Sequence, residues 1–308
     1  MLHFLTKWSY DFVERRKQLK KKFVVIALLM IILAPHYVNA EKINSSTLTN
    51  YITNENGVVI DKNDYDVITN IYSENYANVM TNEDYLRFKE CNIDISKIKQ
   101  TTKYFKTTID NLTHNVTTTE VGENEYNGYN PDVEPLAYTY IETEYKRLSI
   151  SFSSNGDGYG DVFVGLLWKK IPSTRSFDVM AVRFVGAEAI DGTQTGVQLY
   201  KINGVNGRVD YGWNGTNINR QDNGFGISMN LLNDTNVNYF EMHIDSCLEF
   251  SGTYQAAVAS YQHAVTNMTL AQSKSYTLSN AGLGNVIYYS PWSLANNYDG
   301  MGGVTAEL

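Results

Sequence analysis

The stretch Leu148–Trp168, LSISFSSNGDGYGDVFVGLLW, decides the fold class of this chain. Apolar residues occupy every second position on both sides of a central segment rich in Asn, Gly and Asp. They are Leu148, Ile150 and Phe152 before that segment, and Val162, Val164, Leu166 and Trp168 after it. A period of two is typical of β-strands. Pairing Phe152 with Val162 keeps both apolar series on one face, so the stretch predicts an antiparallel hairpin.

The connecting segment, Asn155–Asp161, has the glycines and carboxylates of a calcium loop. It departs from the EF-hand pattern, because a loop starting at Asn155 has Leu166 at position 12 in place of a bidentate Glu. A plain hairpin connection is one interpretation. An irregular calcium loop using Asp157 and Asp161 is the other, so calcium is a candidate cofactor.

Strand-like runs recur from about residue 135 to the end of the chain, separated by Gly, Asn and Asp. The clearest are AYTYIETEYKRLSISF, DVFVGLLWK, SFDVMAVRFVG, VQLYKI, FGISMNLL, VNYFEMHIDSCLEF, TYQAAVASYQHAV, MTLAQSKSYTLS and NVIYYS. No alternation of strands with long helices is visible, which argues against a parallel sheet. The pattern predicts a mainly β protein with an antiparallel β-sandwich over residues 135–308.

Residues 41–110 have a different pattern and predict a small helical N-terminal region. Tyr65, Ile68 and Tyr72 share one helical stripe. Thr81, with Asp84 three residues later, resembles a capping box and predicts a helix over residues 82–90. Residues 111–134 are polar with few aliphatic side chains, so they are predicted to form a linker.

The first 40 residues predict an export signal. Basic residues precede the unbroken apolar run Phe23–Ala34, FVVIALLMIILA, and the small residues of VNA end at Ala40. We therefore expect a signal peptide over residues 1–40, cleavage before Glu41 and a secreted, extracellular product. The run is short for a membrane span of about 20 residues. An uncleaved membrane anchor is the alternative, and the membrane is expected to contact the chain only through this segment.

The charge of the chain excludes one class of partner. Residues 1–40 hold seven of the 25 Lys and Arg residues but only two of the 33 Asp and Glu, so the remainder has a net charge of −13 instead of −8. Such an acidic body repels nucleic acid. No nucleic-acid partner is expected.

The two cysteines, Cys91 and Cys247, are candidates for a disulfide. An exported chain meets an oxidising compartment, and two cysteines allow one pairing. Two unrelated buried thiols are the alternative.

The segment Asn238–Val265 contains the candidate catalytic residues. Alternation along YFEMHIDSCLEF gives one apolar face and one polar face. If SGT forms a three-residue turn, Glu241 lies opposite His263, and His243 becomes a diagonal neighbour of His263, about 7–8 Å away. Glu241, His243 and His263, with Asp245 as a further metal candidate, then suit a zinc-class ion and an exported hydrolase. A solvated polar face without a ligand is the alternative, since a one-residue slip destroys the cluster.

Trp213, within DYGWNGTN, lies among turn residues and is predicted to be exposed, whereas Trp168 continues an apolar series and is predicted to be buried. Exposed Trp rings stack on sugars, so Trp213 is the candidate ligand-binding residue, and a cell-surface or glycan ligand is the expected partner. The patterns of a GxSxG nucleophile turn, a phosphate-binding loop and a dinucleotide-binding loop are missing from the sequence.

A membrane-acting protein is a further alternative. The segment 256–279 is rich in Ser, Thr and Ala, as membrane-inserting hairpins often are. A membrane-spanning strand needs about 9–11 residues with a clean apolar face. Gln272 and Lys274 interrupt that face, so pore formation is the weaker prediction.

Two phrases resemble uncharacterised exported proteins of Gram-positive bacteria: YDVITNIYSENYANVMTNEDY, Tyr65–Tyr85, and LLWKKIPSTRSFDVMAVRF, Leu166–Phe184. The resemblance implies export from a bacterium and a helical segment ahead of a β domain. It implies no activity and no functional residue. The sequence therefore predicts an exported, non-enzymatic binding or surface-interaction protein, with the hydrolase and the pore-forming protein as alternatives.

Overall fold

Two antiparallel sheets packed face to face form the body of the protein, as the alternating pattern predicts. The computed structural model describes residues 50–91, 97–110, 115–129, 141–279, 285–301 and 303–308, of which residues 91 and 141–143 are described by their backbone alone. The signal-peptide prediction falls on residues outside these ranges. No helix among the residues that the structure describes is long and apolar enough to cross a membrane.

The first sheet has eight strands. In spatial order they are β10 (Val205–Tyr211), β9 (Thr195–Ile202), β13 (Val237–Phe250), β6 (Tyr159–Trp168), β5 (Ile141–Ser154), β3 (Lys99–Asp110) and β4 (Val116–Val121), with β8 (Ala187–Ala189) added beside β13.

The second sheet has six strands. They run in the order β11 (Ile218–Gln221), β12 (Gly224–Asn230), β7 (Phe177–Val185), β14 (Ala256–Ala264) and β17 (Tyr298–Gly300), with β18 (Val304–Glu307) also paired with β14. Two small ribbons pair β1 (Tyr51–Thr53) with β2 (Val59–Asp61), and β15 (Tyr276–Leu278) with β16 (Ile287–Tyr289).

Short helices complete the architecture. They are α1 (Lys62–Ile71), α2 (Glu74–Val79), α3 (Asn82–Cys91), α4 (Glu123–Gly128), α5 (Leu270–Ser273) and a 3₁₀ helix (Trp292–Asn297). The predicted cap of α3 is confirmed: the Thr81 amide donates to Oδ2 of Asp84 at 2.9 Å, and the Asp84 amide donates to the Thr81 hydroxyl oxygen at 3.1 Å. Helix α5, inside a run predicted as strand, begins with a capping box formed by Thr269 and Gln272.

The β5–β6 hairpin has the predicted register, with Phe152 opposite Val162. Its loop closes with a hydrogen bond from the Asn155 amide to the Tyr159 carbonyl at 2.8 Å. Gly156 and Gly158 have φ values of +83° and +89°, in the region that favours glycine, so the loop glycines serve the turn.

The central core lies between the two sheets. It combines the alternating apolar residues of β5, β6 and β13 with those of β7, β12 and β14. The rings of Phe152 and Phe250 meet edge to face at 5.7 Å. Burial of these two inner faces is the main source of stability for a sandwich of this kind.

Both sheets are also covered on their outer faces. Helices α1–α3 pack their apolar side chains against Phe163, Val197 and Leu199 of the eight-stranded sheet. The C-terminal segment, including the β15–β16 ribbon, packs against Val179 and Val258 of the six-stranded sheet. Polar residues that alternate out of the central core are therefore buried under a second layer.

Two predicted boundaries differ from the structure. Residues 99–110 were expected in the helical region, yet they form β3 and pair with β5 along their whole length. The expected linker, 111–134, contains β4 and α4, and β4 pairs with β3. Both segments are rich in Thr, a β-branched residue that favours strands even where aliphatic residues are few.

The predicted hairpin between β13 and β14 is wrong. Phe250 pairs with Ala187 of β8, and β14 pairs with β7, β17 and β18. Residues 251–255 therefore carry the chain from one sheet to the other. Strands β13 and β14 each pair with strands that are more distant in sequence and do not pair with each other.

Candidate functional site

The predicted catalytic cluster is not assembled. Glu241 and His243 lie on β13, opposite Leu167 and Gly165 of β6, and face the helical layer. His263 lies on β14 in the other sheet, opposite Asp299 of β17. The cluster depended on a β13–β14 hairpin, which does not form.

Glu241 and His243 form a pair beneath the helices. Nε2 of His243 lies 3.0 Å from Oε1 of Glu241. The other carboxylate oxygen, Oε2, accepts hydrogen bonds from the Ser73 hydroxyl at 2.8 Å and the Tyr239 hydroxyl at 2.5 Å. Burial opposes ionisation, but His243 and the two hydroxyl donors lower the pKa of Glu241 below its ordinary value.

Two tyrosine rings close this pair off from solvent. Tyr72 and Tyr76 stack at 4.1 Å and meet the His243 imidazole edge to face at 5.5 and 5.4 Å. His243 is only 2% exposed. The pair therefore binds helix α2 to the sheet and does not face a substrate.

An open cleft lies beside this covered pair. It has a volume of about 360 Å³ and lies among α3, β9, β10 and β13. Its charged lining consists of Glu83, Asp84, Arg87, Arg208, Asp210 and Asp245. Tyr76 and Tyr211 add aromatic surface. A cleft of this size falls within the range that holds small ligands, about 300–1,000 Å³.

Arg208 and Asp84 form an ion pair in the cleft. Nη1 of Arg208 lies 2.7 Å from Oδ2 of Asp84 and donates a further hydrogen bond to the Val79 carbonyl at 2.9 Å. Although burial opposes it, the Arg208 charge and the hydrogen bonds from Thr81 lower the pKa of Asp84. Asp84 stays ionised and fixes one wall of the cleft.

Asp245 and Arg87 form a second ion pair in the cleft. Nη2 of Arg87 lies 3.4 Å from Oδ2 of Asp245, and the Thr195 hydroxyl donates to Oδ1 of Asp245 at 2.8 Å. Burial raises the pKa of Asp245 despite these two partners. The described lining thus holds two arginines against four acids, which disfavours anionic ligands.

Trp213 lies where the sequence predicts, on the surface, with 51% of its area exposed. Its neighbour Gly212 lines the cleft. The Arg220 guanidinium lies 5.9 Å from the Trp213 ring centre, and Arg220 lines a second cleft of about 90 Å³. Trp213 is therefore the next residue in the sequence after a residue of the cleft wall, and its ring is half-exposed to solvent. Trp168 is buried, as predicted.

His263 occupies a separate, fully buried polar network. Its Nδ1 lies 2.9 Å from Oδ2 of Asp178, which also accepts from the Tyr261 hydroxyl. Nε2 of His263 makes no hydrogen bond within the described part of the chain. Burial opposes protonation, but the Asp178 carboxylate raises the pKa of His263 above its ordinary value. The histidine contributes to the inter-sheet core.

The calcium and disulfide predictions remain predictions. Asp157 lies at the exposed loop tip, whereas Asp161 is buried opposite Ser153 and Cys247. Within the described ranges, no three His, Cys, Asp or Glu side chains are grouped to hold a metal ion. Cys247 is half-buried, and the Cys91 side chain lies outside the described residues.

The sequence did not reveal the cleft. The capping pattern identified Asp84 only as a helix cap, and no local signal connects it with Arg208, 124 residues away. No protein-family model matches the sequence, and no curated protein matches it.

Proposed function

We propose that the protein is exported and binds a carbohydrate outside the cell without chemically altering it. The observation that carries this proposal is the open charged cleft together with the half-exposed Trp213, which directly follows the lining residue Gly212 in the chain. An exposed indole next to fixed polar groups offers both contacts that a sugar needs: a flat apolar face and hydrogen-bonding partners for hydroxyl groups.

The cleft charges narrow the ligand class. Arg87 and Arg208 are already paired with Asp245 and Asp84, so neither offers an unpaired positive charge to an anion. Asp210 accepts from Nε of Arg208 through Oδ1 at 3.0 Å, yet its side chain is 61% exposed, so a ligand can still reach this carboxylate. The lining thus favours a neutral or amine-bearing saccharide over a sulfated or carboxylated one.

The positions of His243 and His263 favour a binding role over hydrolysis. His263 lies in the other sheet from Glu241 and His243, and those two residues are covered by Tyr72 and Tyr76. The residues that suggested a hydrolase therefore do not meet at an accessible place.

Export rests on the basic and apolar pattern of residues 1–40 and on the resemblance to exported Gram-positive proteins. N-terminal sequencing of the protein recovered from the medium of a bacterial expression host should begin at Glu41. Recovery of the intact chain in the membrane fraction would instead support the uncleaved anchor.

Glycan-array binding of the full chain, followed by calorimetry on the best ligand, tests the ligand class. The Trp213→Ala variant should bind at least about tenfold more weakly, a loss of about 1.4 kcal/mol. Trp292→Ala is the matched control. Trp292 is more exposed, at 71%, but lies in the 3₁₀ helix of the C-terminal segment, which covers the other sheet.

A blank array would contradict the carbohydrate proposal. Equal loss of binding in the two tryptophan variants would also contradict it, since it would point to nonspecific aromatic adhesion. Asp210→Ala supplies an independent test of the cleft: it should weaken binding, whereas Glu120→Ala, an exposed acid on β4, should not.

A further inference from the structure

Three charged side chains are fully buried between the sheets. Lys146, Glu144 and Asp299 each have no exposed surface. Nζ of Lys146 contacts Oδ2 of Asp299 directly and lies 3.7 Å from Oε2 of Glu144. Lys and acidic residues are almost never fully buried unless paired, and each ion costs several kcal/mol to desolvate. Burying one lysine with two carboxylates therefore costs free energy that an apolar core of the same size would not.

We propose that Lys146 and Asp299 condense into an intramolecular amide bond, with Glu144 carrying the protons. Nζ of Lys146 attacks Cγ of Asp299 and forms the C–N bond. The bond from Cγ to Oδ2 breaks, and that oxygen leaves as water. The reaction is a condensation, so it requires no oxidant, reductant or cofactor.

The nucleophile is the neutral amine of Lys146. Moving one proton from the lysine ammonium to the aspartate carboxylate converts the ion pair into a neutral amine and a neutral acid, which cost less to bury than two ions. The Trp168 ring centre lies 4.6 Å from Nζ of Lys146 and forms an apolar wall beside the amine.

The carboxyl group of Asp299 is held for attack. Its Oδ1 accepts the backbone N–H of His263 at 2.9 Å, and its Oδ2 accepts the Thr107 hydroxyl at 3.1 Å. The charge that develops on Oδ1 in the tetrahedral intermediate is stabilised by the fixed N–H, as an oxyanion hole does. The Thr107 hydroxyl contacts the oxygen that departs.

Glu144 is placed to carry the protons. It precedes Lys146 by two positions on β5, so both side chains point to the same face of the strand. Its carboxylate takes a proton from the nitrogen after attack and delivers that proton to the departing hydroxyl. Glu144 ends the reaction in its starting state.

The bond would join the two layers of the sandwich. Lys146 belongs to β5 of the eight-stranded sheet and Asp299 to β17 of the six-stranded sheet, 153 positions apart. A cross-link over a long loop restricts the unfolded chain strongly. Because an amide is not reduced by thiols, this cross-link would persist where a disulfide is lost.

Peptide mapping of the purified, denatured full chain tests the proposal. We expect a branched peptide containing Lys146 and Asp299, lighter by one water molecule than its two linear parts together. Fragmentation should locate the link between these two side chains. Recovery of both linear peptides in full yield, from protein that is folded by near-UV circular dichroism, would overturn it.

Variants separate the cross-link from folding. Glu144→Gln keeps the size of the side chain, Lys146 and Asp299, and should fold while losing at least about nine tenths of the branched peptide, the scale expected for removing a general acid–base group. Glu120→Gln, an exposed control, should retain all of it. A branched peptide at wild-type yield in Glu144→Gln would overturn the role of Glu144. Asp299→Ala must abolish the branched peptide, and its persistence would overturn the site itself.

Discussion

Arg208 of β10 donates a hydrogen bond to the carboxylate of Asp84 on α3 at 2.7 Å. The same carboxylate accepts the Thr81 amide and hydroxyl that cap this helix. One side chain therefore both begins α3 and anchors it to the edge strand of the eight-stranded sheet.

Replacing Asp84 by Asn should lower the free energy of unfolding by about 1.5–3 kcal/mol at pH 7, the range for hydrogen bonds to charged groups. The pKa of Asp84 is lowered in the folded state, so its contribution is present above the ordinary value of 3.8 and is lost as pH falls through the folded value. Urea denaturation at pH 7 and pH 3 should show the difference shrinking at pH 3. Glu83→Gln, an exposed neighbour on α3, is the control and should change little.

Gly165 makes room for His243. A Cβ atom at Gly165 would lie 3.1 Å from Nδ1 of His243 and 3.3 Å from the Ser149 hydroxyl oxygen. Gly165→Ala should therefore displace the imidazole and cost about 1–3 kcal/mol, as overpacking does. Gly300→Ala, where a Cβ meets nothing within 4 Å, should be nearly neutral. Thermal unfolding of both variants measures the contrast, and equal melting temperatures would refute it.

Removing Arg87 should lower the free energy of unfolding more than removing the charge of Asp245. Arg87→Met leaves the buried Asp245 carboxylate with only Thr195, and we expect a loss of about 1–3 kcal/mol at pH 7. Because burial raises the pKa of Asp245, this loss should diminish as pH falls and the carboxyl group becomes neutral. Asp245→Asn should cost less than Arg87→Met in denaturant titrations. The reverse order would show that Arg87 does not compensate the Asp245 charge.

His263 should titrate above its ordinary pKa of 6.5 when followed by NMR of its imidazole signals. Since the folded pKa is raised, the protonated His263–Asp178 pair stabilises the protein fully below pH 6.5, and this contribution is lost as pH rises through the folded value. Asp178→Asn should lower the pKa of His263. An unchanged titration in Asp178→Asn would show that another group sets the shift.

The sequence predicted the structural features that depend on residues close together in the chain. The register of Phe152 with Val162 and the cap formed by Thr81 and Asp84 are both local and are confirmed. The strand over residues 237–250 was also found, because apolar residues alternate along most of it, from Phe240 to Phe250.

The candidate site could not be predicted, because sheet partners are chosen at long range. Glu241 and His263 were placed together on the assumption that consecutive strands pair, yet they lie in different sheets. The polar residues that alternate along β13 were expected to contact solvent, whereas a helical layer covers that face of the strand. Neither covering layers nor pairs such as Arg208 and Asp84 leave a signature in a short window of sequence.

The order of strands has a consequence for how the chain acquires its structure. In the larger sheet, β13 is the only described strand that joins the β9–β10 block to the β3–β6 block, and in the smaller sheet β14 joins β7, β11 and β12 to β17 and β18. Neither sheet is continuous until residues 237–264 have left the ribosome. Such non-local pairing implies slow folding. A chain whose sheets cannot close before its last quarter is synthesised remains unfolded for longer. An unfolded chain is suited to transport across a membrane, the step that its proposed signal peptide requires.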